Sequence, residues 1–393
     1  MRHAASLAAA LLLAAACGPI PPRGGDGRPA LAVTDVLRTG GEGFARALLP
    51  RPFSFPADHG SHAGFRTEWW YFTGNLTTAE GRRFGYQLTF FRNQLRAEPV
   101  ARPSAWAAYE VFMAHFALTD VDAGRFYAAE RFRRAAQGLA GATAEPFRVW
   151  LEPWSAAALT GEIPPLRLVA ADGEVALDLE LTPGKPLVLQ GEAGLSRKGA
   201  EPGNASYYYS FTRLPTAGSI EVGGERFAVS GASWMDREWS TSSLSTGQVG
   251  WDWFALHLND GRDLMVYQLR RGDGTADPAS RGALIDAGGG SVPLLPEEVA
   301  LRTRSTWRSP TGAIYPSRWH LSLPNHGLDL ELTPLLDDQE HRGAFAYWEG
   351  AVEVRGINSG QPVAGVGYIE MTGYGDAGVG WGAEALNRHS FHP

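Results

Sequence analysis

The chain has 393 residues, with 35 Lys and Arg against 42 Asp and Glu, so it carries a net charge of −7. It has no basic tract, which argues against nucleic acid or an anionic lipid surface as a partner. The length exceeds one ordinary hydrophobic core, so two domains are expected, and 48 Gly, 26 Pro and many short alternating segments point to an all-β protein.

In chain order, Met1-Arg2-His3 opens a short positive start, and Ala4 to Ala16 is an apolar run broken only by Ser6. Such a run is too short to span a bilayer as a helix but suits the core of a signal peptide. It ends at Ala14-Ala15-Ala16-Cys17-Gly18, and Cys17 is the only cysteine. The stretch resembles a bacterial lipobox, with Leu13 one position early, which makes residues 1–17 a lipoprotein signal and Cys17 the lipidated residue. An ordinary signal peptide with an incidental cysteine is the alternative. The expectation is an exported, envelope-anchored protein whose mature fold has no disulfide. Residues 18–50, rich in Gly, Pro, Arg and Ala, are expected to form a flexible tether.

Beyond the tether the chain repeats itself. Trp69-Trp70-Tyr71-Phe72, followed by Leu76, aligns with Trp251-Asp252-Trp253-Phe254, followed by Leu258. Tyr86-Gln87-Leu88 aligns with Tyr267-Gln268-Leu269, and Leu177 to Pro183 recurs letter for letter as Leu328 to Pro334. Gly218 to Val222 aligns with Gly350 to Val354, and Val229 to Asp236 with Val363 to Glu370. These matched blocks in one order describe a tandem duplication, with domains expected at 51–243 and 244–393. Each copy holds enough turn-bounded short strands for an antiparallel barrel of about eight strands. The first copy carries insertions and most of the aromatic excess, and is expected to be the working one.

The blocks Asp58-His59-x-x-His62, Thr67 to Leu76, Gly203 to Ser210, Ser233 to Trp239 and Gly250 to Phe254 resemble the AttH family, related to hydroxyneurosporene synthase, the carotenoid 1,2-hydratase. The resemblance covers the chain from about residue 50. It implies two tandem lipocalin-like barrels, export, and association with ABC-type permease systems. It also implies, for the hydratases, an acid–base site in which an Asp follows two residues after a Tyr, with a His/Trp pair upstream. Asp236 matches the Asp; Trp234 stands in place of the Tyr, and Tyr207 and Tyr209 stand in the upstream region.

Hydration of an alkene needs a proton donor, a surface that tolerates a carbocation, and a water. A carboxyl kept protonated by apolar surroundings can donate, and aromatic faces stabilise cations. Strand alternation puts Trp234, Asp236 and Glu238 on one face, so Asp236 and Glu238 are candidate acid–base groups. The second copy keeps Tyr368 and Glu370 at the places of Trp234 and Asp236, and an architectural role explains that equally well. Glu68 and Trp70 have no such counterpart, since Gly250 and Asp252 stand there. Glu68 is therefore a third catalytic candidate, with Arg66 as its structural mate in the alternative, and Trp70, Trp234, Tyr207, Tyr209, Asp252 and Trp253 are candidate ligand contacts. The H-x2-H of His59 and His62 fits no metal motif, and His115 and His257 lie in apolar runs as core or pocket residues. No metal or cofactor is called for. The expected partners are a hydrophobic small molecule, the membrane through the lipid anchor and a permease.

Overall fold

A computed structural model of the protein describes residues 41–374, apart from 99–103, 105 and 243. The expected signal peptide, Cys17 and the tether up to residue 40 lie outside the described residues. Two antiparallel sheets follow one another, the first from Thr67 to Ser240 with thirteen strands and the second from Gln248 to Met371 with ten. Each sheet curls round its own core as a lipocalin-like barrel. Both sheets exceed the expected eight strands, and the first runs two strands further than the second, through Ala140–Ala144 and Phe147–Leu151 of its insertion.

The alternation of side chains decides which residues go where. Leu177, Leu179 and Leu181 are buried while Asp178 and Glu180 face outward, and Leu328, Leu330 and Leu332 repeat this in the second copy. In the opening strand Thr67–Thr77, Trp70, Phe72 and Leu76 join Phe84, Tyr86 and Leu88 in the first core. The other face, with Trp69 and Tyr71, leaves that core. The second core is built the same way round Phe254, Leu256 and Leu258. A third apolar cluster holds Tyr71, Tyr208 and Trp234 of the first sheet with Trp253, Tyr267 and Tyr368 of the second, so the barrels meet through their outer faces.

The strand register gives the duplication its geometry. The strand Thr67–Thr77 lies between Arg83–Gln94 and Glu225–Ser240, and Gln248–Leu258 lies between Asp263–Arg271 and Gln361–Met371. Tyr71 stands opposite Asp236 in the first sheet, and its counterpart Trp253 stands opposite Glu370 in the second. One aligned block needs correction. Gly218 pairs with Leu179 and Val229, and the residue that pairs with Leu330 and Val363 is Gly356, not Gly350. The displacement is even, so it preserves inside and outside along the strand, and a pattern of alternating residues does not reveal it.

Close approach of strands fixes two further counterparts. A Cβ on Gly231 would lie 2.1 Å from the Asn75 carbonyl oxygen, and one on Gly365 would lie 2.3 Å from the His257 carbonyl oxygen. Neither oxygen can move without breaking the sheet. Gly365→Ala is expected to lower the unfolding free energy by about 1–3 kcal/mol, the usual cost of forced overpacking, read from the midpoint of urea denaturation. An unchanged midpoint would mean that the two strands slide apart freely.

Candidate active site between the barrels

Between the outer faces lies a cavity of about 190 Å³. Its walls are mostly aromatic and aliphatic: Trp69 and Phe91 from the first sheet, Trp251, Trp253 and Leu269 from the second, with Phe132 and Phe345. Three carboxyls line it: Asp236 and Glu238 from the first barrel and Glu370 from the second. Lys198, His115, Tyr71, Tyr208, Tyr267 and Tyr347 are among the residues that add further polar atoms. Such a chamber, apolar with a few converging polar groups, is the usual form of a small-molecule site.

Asp236 is a fully organised acid. Its Oδ2 accepts from the Tyr208 hydroxyl at 2.6 Å, and its Oδ1 accepts from Ser210 Oγ at 2.5 Å and Trp234 Nε1 at 2.7 Å. Burial pushes its pKa up to about 7, against the pull of these three donors, and the charge of Glu238 adds to the rise. Trp253 Nε1 donates to the Tyr208 hydroxyl at 3.3 Å, so the second barrel steadies the first barrel's acid.

Glu370 occupies the matching place and accepts from Trp251 Nε1 at 2.6 Å. Burial again pushes its pKa up to about 7. Glu349 stands directly opposite it on the next strand and accepts from the Tyr71 hydroxyl at 2.5 Å. Burial, then the charge of Glu370, hold the Glu349 carboxyl well above the usual carboxylate range.

Glu238 has different company. It accepts from Ser206 Oγ and lies 3.1 Å from Lys198 Nζ. Burial works against the Lys198 charge, but Glu238 together with Tyr267 and Asp236 outweighs it and lifts the ammonium above the ordinary lysine range. Lys198 Nζ sits 4.0 Å from the centre of the Tyr267 ring, a cation–π contact that anchors it. His115 bonds the Tyr347 hydroxyl through Nδ1 at 2.7 Å and Glu130 through Nε2 at 3.0 Å, and burial holds its pKa below the usual value.

Of the residues expected from sequence, Asp236, Glu238 and Trp253 line the cavity, and Trp234 backs it through its bond to Asp236. The others face elsewhere. Glu68 lies wholly inside the first barrel, where Arg92 Nη1 approaches at 2.6 Å and Arg237 donates to its other oxygen. Its mates are these two arginines and His62, not Arg66. Burial opposes its charge, but Arg237, His62 and Arg92 outweigh that and lower its pKa to about 2, so it stays ionised and cannot donate a proton near neutral pH. Trp70 packs in the first core and donates through Nε1 to the His59 carbonyl at 2.9 Å. Tyr209 bonds His59 Nδ1 at 2.7 Å and Tyr207 donates to the Leu49 carbonyl at 2.9 Å, both on the core face. Asp252 takes the position of Trp70 in the second barrel and bonds Tyr374, with Arg270 Nε at 3.3 Å. These five belong to the interior faces, so none of them meets a ligand in the cavity between the barrels. Nor is the first barrel the working one by itself, since the second supplies Trp251, Trp253, Tyr347 and Glu370.

Sequence reasoning set aside Glu370 and missed Glu349, Lys198, Trp69, Tyr71 and Trp251. The signal was available: Trp69 and Tyr71 align with Trp251 and Trp253, and Asp236 with Glu370, all on the face the two copies share. His115, Glu130 and His341 bring potential ligand atoms within 4.8 Å of one another. However, both nitrogens of His115 already have partners, and the two imidazoles stack at 4.3 Å, so their in-plane lone pairs run side by side rather than converging.

A family model described as AttH-like matches residues 46–374. Among solved structures, NE1406 of Nitrosomonas europaea, described as an AttH, is 38% identical with a TM-score of 0.74, over 84% of this chain and 100% of that one. Kievitone hydratase of Nectria haematococca is 18% identical with a TM-score of 0.63, over 82% of this chain and 93% of its own. CghA is 15% identical with a TM-score of 0.50, over 87% of this chain and 98% of its own. The last two show a common fold and no more. A comparison with curated proteins found no match. Matched by the family model over most of its length and by NE1406 over all of that protein, the chain belongs to the AttH-like family.

Proposed function

We propose that this protein binds a hydrophobic, terpenoid- or lipid-like molecule between its barrels and adds water across a C=C bond, or removes it, by acid–base catalysis. The observation that carries this is Asp236, an acid with a pKa of about 7 set in an aromatic-walled cavity. At neutral pH such a carboxyl is protonated in a substantial fraction of molecules, and it returns to that state after each transfer. The faces of Trp69, Trp251 and Trp253 suit an apolar ligand and a developing positive charge. The fold is shared with kievitone hydratase, which is named as a hydratase. Export with a lipid anchor on Cys17 would place the site at a membrane face, where apolar substrates partition and where a permease partner would operate.

The test has two stages. Native mass spectrometry of the protein extracted from its own membrane is expected to show a bound lipid or terpenoid. Tryptophan fluorescence is expected to shift when that molecule is added back to ligand-free protein. Trp253→Leu should weaken the binding about tenfold, by roughly 1–1.5 kcal/mol of lost ring contact. Absence of any apolar ligand, with no fluorescence response to a range of them, would refute the binding function. Binding without turnover would leave a carrier that hands lipophilic cargo to a permease, and would refute the hydratase.

A further inference from the structure

The duplication left an asymmetry at the cavity that packing does not require. Ser210 stands directly opposite Asp236 in the first barrel, and Glu349 stands directly opposite Glu370 in the second. These are the same register position. One copy places a hydroxyl there, which donates to its acid. The other places a second carboxyl, fully buried and outside the cavity wall, with the Tyr71 hydroxyl of the first barrel donating to it across the interface. The two carboxyls hydrogen-bond each other, Glu349 donating and Glu370 accepting. A serine at this position would suffice for architecture, as the first barrel demonstrates.

Resting on the acid–base function above, we propose that Glu370 is a second catalytic carboxyl and that Glu349, held by Tyr71, is its positioning residue, the two sharing one proton beside the cavity. Two buried carboxyls in contact, with no Lys or Arg ion-paired to either among the described residues, cannot both ionise cheaply. The groups that face the pair are Tyr71, Asp236 and Glu238 from the first barrel and Trp251, Tyr347 and Tyr368 from the second. Each of these is neutral or acidic, and the Lys198 charge is taken up by Glu238. Burial and the charges of nearby acids raise both carboxyls, and the hydrogen bond between them sets them apart, holding the proton on Glu349 and easing the ionisation of Glu370.

The division of labour balances. Asp236 gives its proton to one alkene carbon as the new C–H bond forms. The water oxygen forms the C–O bond at the other carbon, and its surplus proton passes to ionised Glu370. Return of that proton to Asp236 through solvent resets the site, and dehydration runs the same steps backwards. No electron is gained or lost. The pair lets Glu370 take up this proton while Glu349 keeps its own.

The test uses N,N′-diisopropylcarbodiimide, a small apolar reagent that adds to protonated carboxyl groups, on the intact protein, with peptide mass mapping. Adducts are expected on Glu370 and on Asp236, and the Glu370 adduct should fall about tenfold per pH unit above about pH 7, as a titrating acid does. In Glu349→Leu the donor that eases ionisation of Glu370 is lost, so Glu370 labelling near pH 8 should rise severalfold, and Glu349→Gln, which keeps a neutral donor, should restore the wild-type profile. Asp236 labelling should stay as in the wild type, which reports an intact fold and cavity. Equal Glu370 labelling in Glu349→Leu and wild type, or labelling of Asp236 with none on Glu370, would overturn the carboxyl pair and leave the Asp236 acid standing. Labelling of neither residue at any pH would overturn both.

Discussion

Arg237→Met is expected to lower the unfolding free energy by about 3–5 kcal/mol at neutral pH, the usual cost of stripping one partner from a buried ion pair. The Glu68 carboxylate has no exposed surface, and the methionine would fill space without offering a donor. The arginine does more than pair with Glu68. It donates to the Gly60 carbonyl and lies 4.0 Å over the Trp70 ring, which fastens the segment before the first strand onto the barrel. The pH dependence follows from sign. Glu68 has its pKa depressed to about 2 by Arg237, His62 and Arg92 against burial, so its contribution is present above its ordinary value of 4.5 and is lost as pH falls towards 2. The shift corresponds to about 3 kcal/mol over that window. In Arg237→Met this acid-side slope should be much reduced. Urea denaturation of both proteins at neutral pH and at steps from about pH 4.5 down towards 2 measures the two effects. A variant as stable as the wild type would mean that the charge cluster is solvated and contributes nothing.

Asp236→Asn should abolish turnover, with a loss of about 10²–10⁴ in kcat for removal of a general acid, while affinity for the co-purified ligand changes little. The same substitution has a signature in stability that needs no substrate. The folded pKa of Asp236 is raised from 3.8 to about 7 by burial, so the native state holds a proton that the unfolded chain has released across that interval. Wild-type stability therefore falls as pH rises from about 4 to 7, by about 4 kcal/mol from this group. Asparagine does not titrate. The stability difference between variant and wild type should shift in the variant's favour by that order as pH rises, whatever its starting value. A difference that is flat in pH would mean that the carboxyl titrates normally, and the acid role would fall with it. Together these effects describe a site whose chemistry costs the fold stability.

The fold was largely legible in the sequence. The letter-for-letter recurrence of Leu177 to Pro183 and the paired aromatic blocks disclosed two barrels, because strand alternation is written directly in residue polarity. The site was legible only in part. Asp236 and Glu238 were recognisable as acids on one face of a strand. Glu68 and Trp70 drew attention because the second copy does not keep them, yet they face a core, where each barrel is free to solve its packing differently. Residues common to both copies, such as Trp69 with Trp251 and Asp236 with Glu370, were discounted as architecture. Where two copies meet face to face, their shared residues converge on the same space from two sides, so repetition there marks the site. No periodicity in one strand reveals that, because it depends on how two sheets dock. Lys198 was missed for a related reason: it follows the short strand Leu195–Arg197 and enters the cavity through tertiary placement.

The register of the two opening strands has a consequence for how such a site can change over time. Two identical subunits meeting about a twofold axis must carry the same residue at both symmetry-related places, so any substitution enters twice. Here both halves belong to one polypeptide, and a codon altered in one leaves the other untouched. Ser210 and Glu349 have diverged in this way, as have Tyr71 and Trp253, while the places beside them both keep a carboxyl, Asp236 in one copy and Glu370 in the other. A gene fusion of this kind turns a symmetric chamber into one with a distinguishable left and right wall, which is what an unsymmetrical substrate requires.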